Sequence, residues 1–149
     1  MKKKDINIVN RKARFDYHIE QTFIAGIQLM GTEVKSIREA KVNMQDAFCY
    51  FEKENILKIR NLHISLFKEG SYNNHEPLRE RQLLLNKNEL RKLWSKGTEK
   101  GLTIVLLKIF ENDRGIIKLE IASASGKKQY DKRNDLKTKD LKRDLDRYE

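Results

Sequence analysis

Of the 149 residues only one is cysteine, one proline and three histidine, and each scarcity removes a class of protein. A lone thiol, Cys49, cannot close an internal disulfide or supply a thiolate-rich metal site, which agrees with a reducing compartment. Its neighbours Phe48, Tyr50 and Phe51 have strand character, so Cys49 is expected to be an inert, partly buried thiol. His18, His63 and His75 stand in no metal-ligand or zinc-protease spacing, Gly126-Lys127-Lys128 lacks the upstream glycine and following Ser or Thr of a phosphate loop, and there is no dinucleotide fingerprint. His75 beside Glu76 has no nucleophile in its loop. No catalysis, cofactor, metal or small-molecule substrate is expected. No run approaches the roughly 18 apolar residues of a membrane span, and Met1 to Asp5 is basic with no signal-type apolar stretch behind it. A cytoplasmic protein without membrane attachment is the expectation.

What the chain has is charge. Lys and Arg number 32 against 22 Asp and Glu, a net +10, while 38% hydrophobic residues are enough for one ordinary globular domain with a real core. The excess sits at the ends. Met1 to Arg14 holds six basic residues and one acidic, Gly126 to Glu149 nine and six, and the 111 residues between are nearly balanced at 17 and 15. Two cationic segments flanking a compact body point to a polyanion, with nucleic acid favoured over a membrane surface, since neither segment has the wide apolar face of an interfacial helix.

Apolar periodicity predicts a mainly β chain. Tyr17 to Leu29 reads as extended, with imperfect matching of sides and Gly26 suggesting a bulge or bend. Thr32 can cap a short helix over Glu33 to Ala40. Ala47–Phe51 and Ile56–Ile64 form one hairpin, and Thr103–Phe110 with Ile116–Ala122 form a second across Asn112-Asp113-Arg114-Gly115. Between them lie a loop over Ser65 to Arg81, a short apolar run Leu83–Leu85, and a helix opened by Asn86 and Glu89, carrying Leu90, Leu93 and a core Trp94 and closing at Gly97. Five or six short antiparallel strands must close or curl to manage their edges, which predicts a small OB-like barrel with short helices. The expected division is a barrel with a basic N-terminal arm over residues 1–125 and a basic, helix-prone tail over 126–149, disordered when free.

Three segments offer binding chemistry. Asn10, Arg11, Lys12 and Arg14 set donors beside Phe15 and Tyr17, suiting phosphate contact and base stacking together. Lys127, Lys128, Lys132 and Arg133 surround Tyr130 and Asp131 in a similar way. Asn74, His75, Arg79 and Arg81 place further donors in the proline-containing loop, diluted by Glu76 and Glu80.

As a set, Asn10-Arg11-Lys12-Ala13-Arg14, Gly31-Thr32-Glu33-Val34-Lys35-Ser36, Asn74-His75-x-Pro77-x-Arg79-x-Arg81, Leu83-Leu84-Leu85 and Gly126-Lys127-Lys128-x-Tyr130-Asp131-Lys132-Arg133 closely resemble the SsrA-binding (small protein B) family, in order, from about Ile8 to Arg133. The resemblance implies an OB-like barrel that binds the tRNA-like domain of transfer-messenger RNA and delivers it to stalled ribosomes for trans-translation. It also implies a tail that enters the empty decoding centre and messenger channel, against small-subunit ribosomal RNA, and folds there as a helix. Elongation factor Tu and alanyl-tRNA synthetase would be partners through the RNA. Tyr17 and Lys118 fall where the family has barrel residues important for RNA binding, and Tyr130 at its stacking position in the decoding centre. Ile24, Leu106 and Ser123 to Ser125 depart from the family pattern. A general tRNA-binding or ribosomal-RNA-binding OB-fold protein is the alternative.

Overall fold

In a computed structural model that describes residues 6–68, 74–97 and 101–127, the chain runs β1 (Asn7–Val9), α1 (Arg11–Asp16), β2 (Tyr17–Ile27), α2 (Gly31–Arg38), β3 (Val42–Asn43), β4 (Phe48–Lys53), β5 (Ile56–Arg60), β6 (His63–Ile64), β7 (Arg81–Leu84), α3 (Lys87–Gly97), β8 (Leu102–Glu111) and β9 (Ile117–Gly126). Seven strands form one sheet in the order β1-β8-β4-β5-β7-β2-β9, and a further pairing brings the last strand, β9, back onto β8. The ring β8-β4-β5-β7-β2-β9 is therefore closed, as expected of an OB-like barrel, and closure removes the exposed edges that so small a sheet would otherwise present. Short β3 and β6 pair separately.

Alternation fills the barrel. Phe23, Ala25, Ile59, Leu106, Leu119 and Ile121 point inward with the α2 and α3 residues Ile37 and Leu93. Cys49 lies in this core, and burial pushes its thiol well above the ordinary range. Trp94 is half-buried, edge-on to Phe51 with ring centroids 5.3 Å apart. The Asn86 and Glu89 capping pair forms as expected: the Glu89 N–H donates to Asn86 Oδ1 at 2.8 Å, and the Asn86 N–H to Glu89 Oε1 at 3.4 Å.

Two irregularities place the functional surface. The register of β2 on β9 slips between Ile19 and Gln21, leaving Glu20 as an extra residue. One inserted residue exchanges the two faces of a strand. Tyr17 and Ile19 thus pack on the outside of the barrel although they share parity with the inward Phe23 and Ala25. The imperfect side-matching in the sequence was this bulge, at Glu20 rather than at Gly26. A similar slip between Leu106 and Lys108 puts Leu106 in the core and Leu107 outside it, both fully buried.

The outward Leu107 gathers Val105, Ala122 and Ala124 into a second apolar cluster closed by Ala13 of α1. The basic N-terminal segment is thus no free arm from residue 7 onward: it is strand β1 on β8 followed by a helix clamped to the barrel's outer wall. At the other end β9 continues through Gly126, which pairs with Tyr17, and the Lys127 N–H donates to the Asp16 carbonyl at 2.8 Å. The division expected at 125/126 falls inside a strand. The segment 128–149 lies outside the described residues.

Candidate nucleic-acid interface

A six-residue helix does not hold itself together in water, so α1 depends on its anchor. That anchor is Asn10. Its N–H donates to the Leu107 carbonyl at 2.7 Å, its amide Nδ2 to the carbonyls of Met44 at 2.8 Å and Leu106 at 2.9 Å, and its Oδ1 accepts from the Ala13 N–H at 3.2 Å. The side chain is 2% exposed, so Asn10 does not face a partner as the sequence suggested. It caps α1 and ties it to two strands. Asn10→Ala is expected to destabilise the protein by about 2 to 3 kcal/mol, since the cap is lost and two buried carbonyls lose their donor; urea titration measures this.

Held in this way, α1 presents Arg11, Lys12 and Arg14 to solvent. Lys12 Nζ is 3.0 Å from Asp46, whose hydrogen bond holds the ammonium above its ordinary pKa. Arg14 reaches Glu120 on β9 at 3.8 Å. Tyr17 lies half-buried at the C-terminal end of α1, on the rim of a concavity of about 430 Å³ shared with Lys12, Asp16, Gln45 and Asn61. Lys118 is on the same outer wall but at the far end: Tyr17 pairs with Gly126 and Lys118 with Gly26, and eight strand residues correspond to about 26 Å. The outward sequence-predicted residues form one elongated face rather than a point site.

The proline-containing loop behaves differently. Arg81, fully buried, gives Nε to Glu33 Oε2, Nη1 to the Leu62 carbonyl at 2.9 Å, and Nη2 to the carbonyls of Pro77 at 3.2 Å and Glu76 at 3.5 Å. Arg79 Nη2 reaches Glu33 Oε1 at 2.5 Å and the Gln28 carbonyl at 3.3 Å. His75, 3% exposed, lies 2.8 Å from the Ile64 carbonyl through Nε2 and 2.9 Å from Thr32 Oγ1 through Nδ1. A carbonyl can only accept, so Nε2 carries the proton and Nδ1 is free to accept from the Thr32 hydroxyl. Asn74 bonds both backbone groups of Phe67, its Nδ2 donating to the carbonyl at 2.8 Å.

His75 and Arg81, predicted from the sequence to contact RNA, are buried and spend their polar groups locking the loop against α2. Asn74 and Arg79 also make internal bonds but stay partly exposed. Thr32 serves the loop rather than capping α2; the Met30 N–H is satisfied by Glu33 Oε1 at 2.8 Å. Lys127 borders β9, whereas Lys128, Tyr130, Asp131, Lys132 and Arg133 lie outside the described residues.

Sequence reasoning missed Lys108, Phe110 and Glu120, which share the outer wall with Lys118. The alternation Ile117-Lys118-Leu119-Glu120-Ile121 was the available signal, because it puts Lys118 and Glu120 on the face opposite the core. It also missed an exposed cluster on β4 and β5, where Arg60 lies 4.6 Å over the Tyr50 ring and both residues bond Glu80. There the cation is already neutralised. Among the described residues no group of three or more His, Cys, Asp or Glu is arranged for a metal ion, and no helix is long and apolar enough to cross a membrane.

Comparison with known proteins agrees with the barrel and with the motifs on it. A model of the family described as SmpB protein matches residues 7–149. The SsrA-binding protein of Phocaeicola vulgatus is 52% identical over 147 residues, 99% of this chain and 97% of that protein, and that of Cytophaga hutchinsonii is 49% identical over 97% and 94%. A chain from a solved structure described as "tmRNA-SmpB: a journey to the center of the bacterial ribosome" superposes with a TM-score of 0.70 at 48% identity, covering 83% of this chain and 86% of that one. Matched by the family model over residues 7–149 and at about half identity over nearly its whole length, the chain belongs to the SmpB (SsrA-binding protein) family.

Proposed function

We propose that the barrel binds the tRNA-like domain of transfer-messenger RNA along its outer wall and carries that RNA to stalled ribosomes for trans-translation, as a binding adaptor rather than a catalyst. The observation that carries this reading is the anchored α1. In a chain of the SsrA-binding family, a buried asparagine, an apolar cluster and two strand bulges combine to hold three cations outward on a short helix that could not form alone, with Tyr17 at its C-terminal end on the first residue of β2. Folded RNA with exposed loop bases suits such a face, which meets phosphate, sugar and base stacks over a length rather than a sequence in a groove.

Residues 128–149 are proposed to form the ribosomal arm, with Lys128, Tyr130, Lys132 and Arg133 meeting small-subunit ribosomal RNA in an empty decoding centre. A messenger strand already in the channel would exclude it. Elongation factor Tu and alanyl-tRNA synthetase would then act through the bound RNA, in the cytoplasm.

Mobility shift with the isolated tRNA-like domain tests the first half. Binding is expected to weaken with salt at a log–log slope of about −2 to −4, the release expected for three to five phosphate contacts. Indifference to this RNA at low salt would contradict it, and constitutive association with translating, unstressed ribosomes would favour a general ribosomal-RNA-binding role.

A further inference from the structure

Away from the outer wall, the barrel has a seam that its strands do not close. The ladder between β4 and β8 stops after the Cys49 and Ile104 pair, although β4 runs on to Lys53 and β8 starts at Leu102. Continued in register, Tyr50 would face Thr103 and Phe51 would face Leu102; instead the strands part. Between them lies a slot of about 330 Å³, lined by Tyr50, Phe51, Leu102, Thr103, Ile104 and, from α3, Trp94. Phe51 and Trp94 stand edge to face, and they and Leu102 are only half-buried. Large apolar side chains gathered around one opening are stabilised by whatever takes them out of water.

We propose that the slot is the resting site of this chain's own C-terminal segment, which lays Leu141, Leu145 and Tyr148 across it. Position, length and pattern choose that occupant. Leu102 on the rim pairs with Ser125, so the chain leaves β9 one strand away from the opening, about 5 Å. The stretch 128–140 spans about 40 Å when extended, far more than the return needs. Leu141, Leu145 and Tyr148 recur at i, i+4 and i+7, the anchor spacing of a helix laid in an apolar groove, and Lys139 and Arg143 fall on the opposite helical face.

A tethered segment also outcompetes a separate partner. A short flexible tether holds its end at about millimolar effective concentration, so a contact of millimolar strength, too weak to keep a free partner, forms in about half the molecules. The result is a latch. While its apolar face lies in the slot the segment cannot extend from the barrel, and any partner that draws it out competes with the slot for the same three side chains. The latch stands on the barrel and the sequence pattern, independently of which RNA the outer wall binds.

Trp94 is the chain's only tryptophan, so the fluorescence of the full chain reports on the slot. Leu141→Gln with Leu145→Gln, which removes two anchors without changing the charge, is expected to raise the acrylamide quenching constant about twofold, as loss of a half-occupied cover requires, and to shift the emission to the red. Lys139→Ala is expected to leave both as they are in the unaltered chain. None of these positions belongs to the barrel's strands or helices, so the comparison does not disturb the fold. Quenching and emission in the double variant equal to those of the unaltered chain overturn the latch, and equal exposure of Trp94 by Lys139→Ala overturns the assigned helical face. Protection that is lost when the unaltered chain is diluted also overturns it, and gives the slot to the segment of a second copy.

Discussion

Arg81→Met is expected to destabilise the protein by about 3 to 5 kcal/mol, the cost of breaking a buried ion pair from one side, and to lower its thermal midpoint by about 10 to 15 °C. Removing the guanidinium takes the donor from the carbonyls of Leu62 and Pro77 and leaves the buried Glu33 with Arg79 and the Met30 N–H alone. Glu33→Gln in the same chain relieves the uncompensated charge, so the double variant should lose less than the two single losses combined. If Arg81 were an RNA contact instead, the single variant would keep its midpoint and lose RNA affinity.

The pair also sets an acid limit. Burial alone would raise the Glu33 pKa, but the Met30 N–H and the guanidinium groups of Arg79 and Arg81 outweigh it, and the carboxyl is held below its ordinary range. Its contribution is therefore complete above the ordinary carboxylate range near 4 and is lost as pH falls through the depressed folded value. In Glu33→Gln that part of the acid destabilisation should vanish.

Truncation after Lys127 is expected to leave binding to the tRNA-like domain within about twofold of the full chain, equivalent to less than ~0.5 kcal/mol, and to abolish tagging of stalled peptides. Lys127 is kept because its N–H closes onto Asp16 beside Tyr17; cutting at 126, as the composition suggests, would disturb the start of β2. The removed segment carries eight basic and six acidic residues, so its effect on a general electrostatic attraction is small and its proposed effect on the ribosome specific. Binding assays and a peptide-tagging assay on the same preparation separate the two. Loss of both together would place the tail within the RNA-binding fold.

The parts of the fold that rest on local pattern were readable from the sequence. β8 and β9 are apolar, β-branched runs joined by an asparagine turn in which Asn112 Oδ1 accepts from Arg114 and Ile116 and Gly115 takes a positive φ of 79°, and the Asn86 and Glu89 pair announces α3. The positions of the bulges were not readable, because one extra residue reverses a strand's faces without changing its composition: the uneven pattern of β2 pointed to Gly26, whereas the extra residue is Glu20. Nor was α1: six residues of ordinary propensity become helical through contacts made by Asn10 with carbonyls 34 and 96 positions away. The loop misled for a related reason. Arg79 and Arg81 look like surface cations until Glu33, 46 and 48 residues earlier, is packed beside them, and its Gly-Thr-Glu-Val context gave no hint of a buried acid.

Ultraviolet crosslinking of the full chain to the tRNA-like domain, with the modified peptides mapped by mass spectrometry, tests most directly whether the outer wall is the RNA-binding face. Crosslinks are expected on α1 and Tyr17 and, about 26 Å along β9, around Lys118. Crosslinks confined to the Tyr50, Arg60 and Glu80 cluster on β4, β5 and the adjoining loop, with none on α1 or β9, would contradict it.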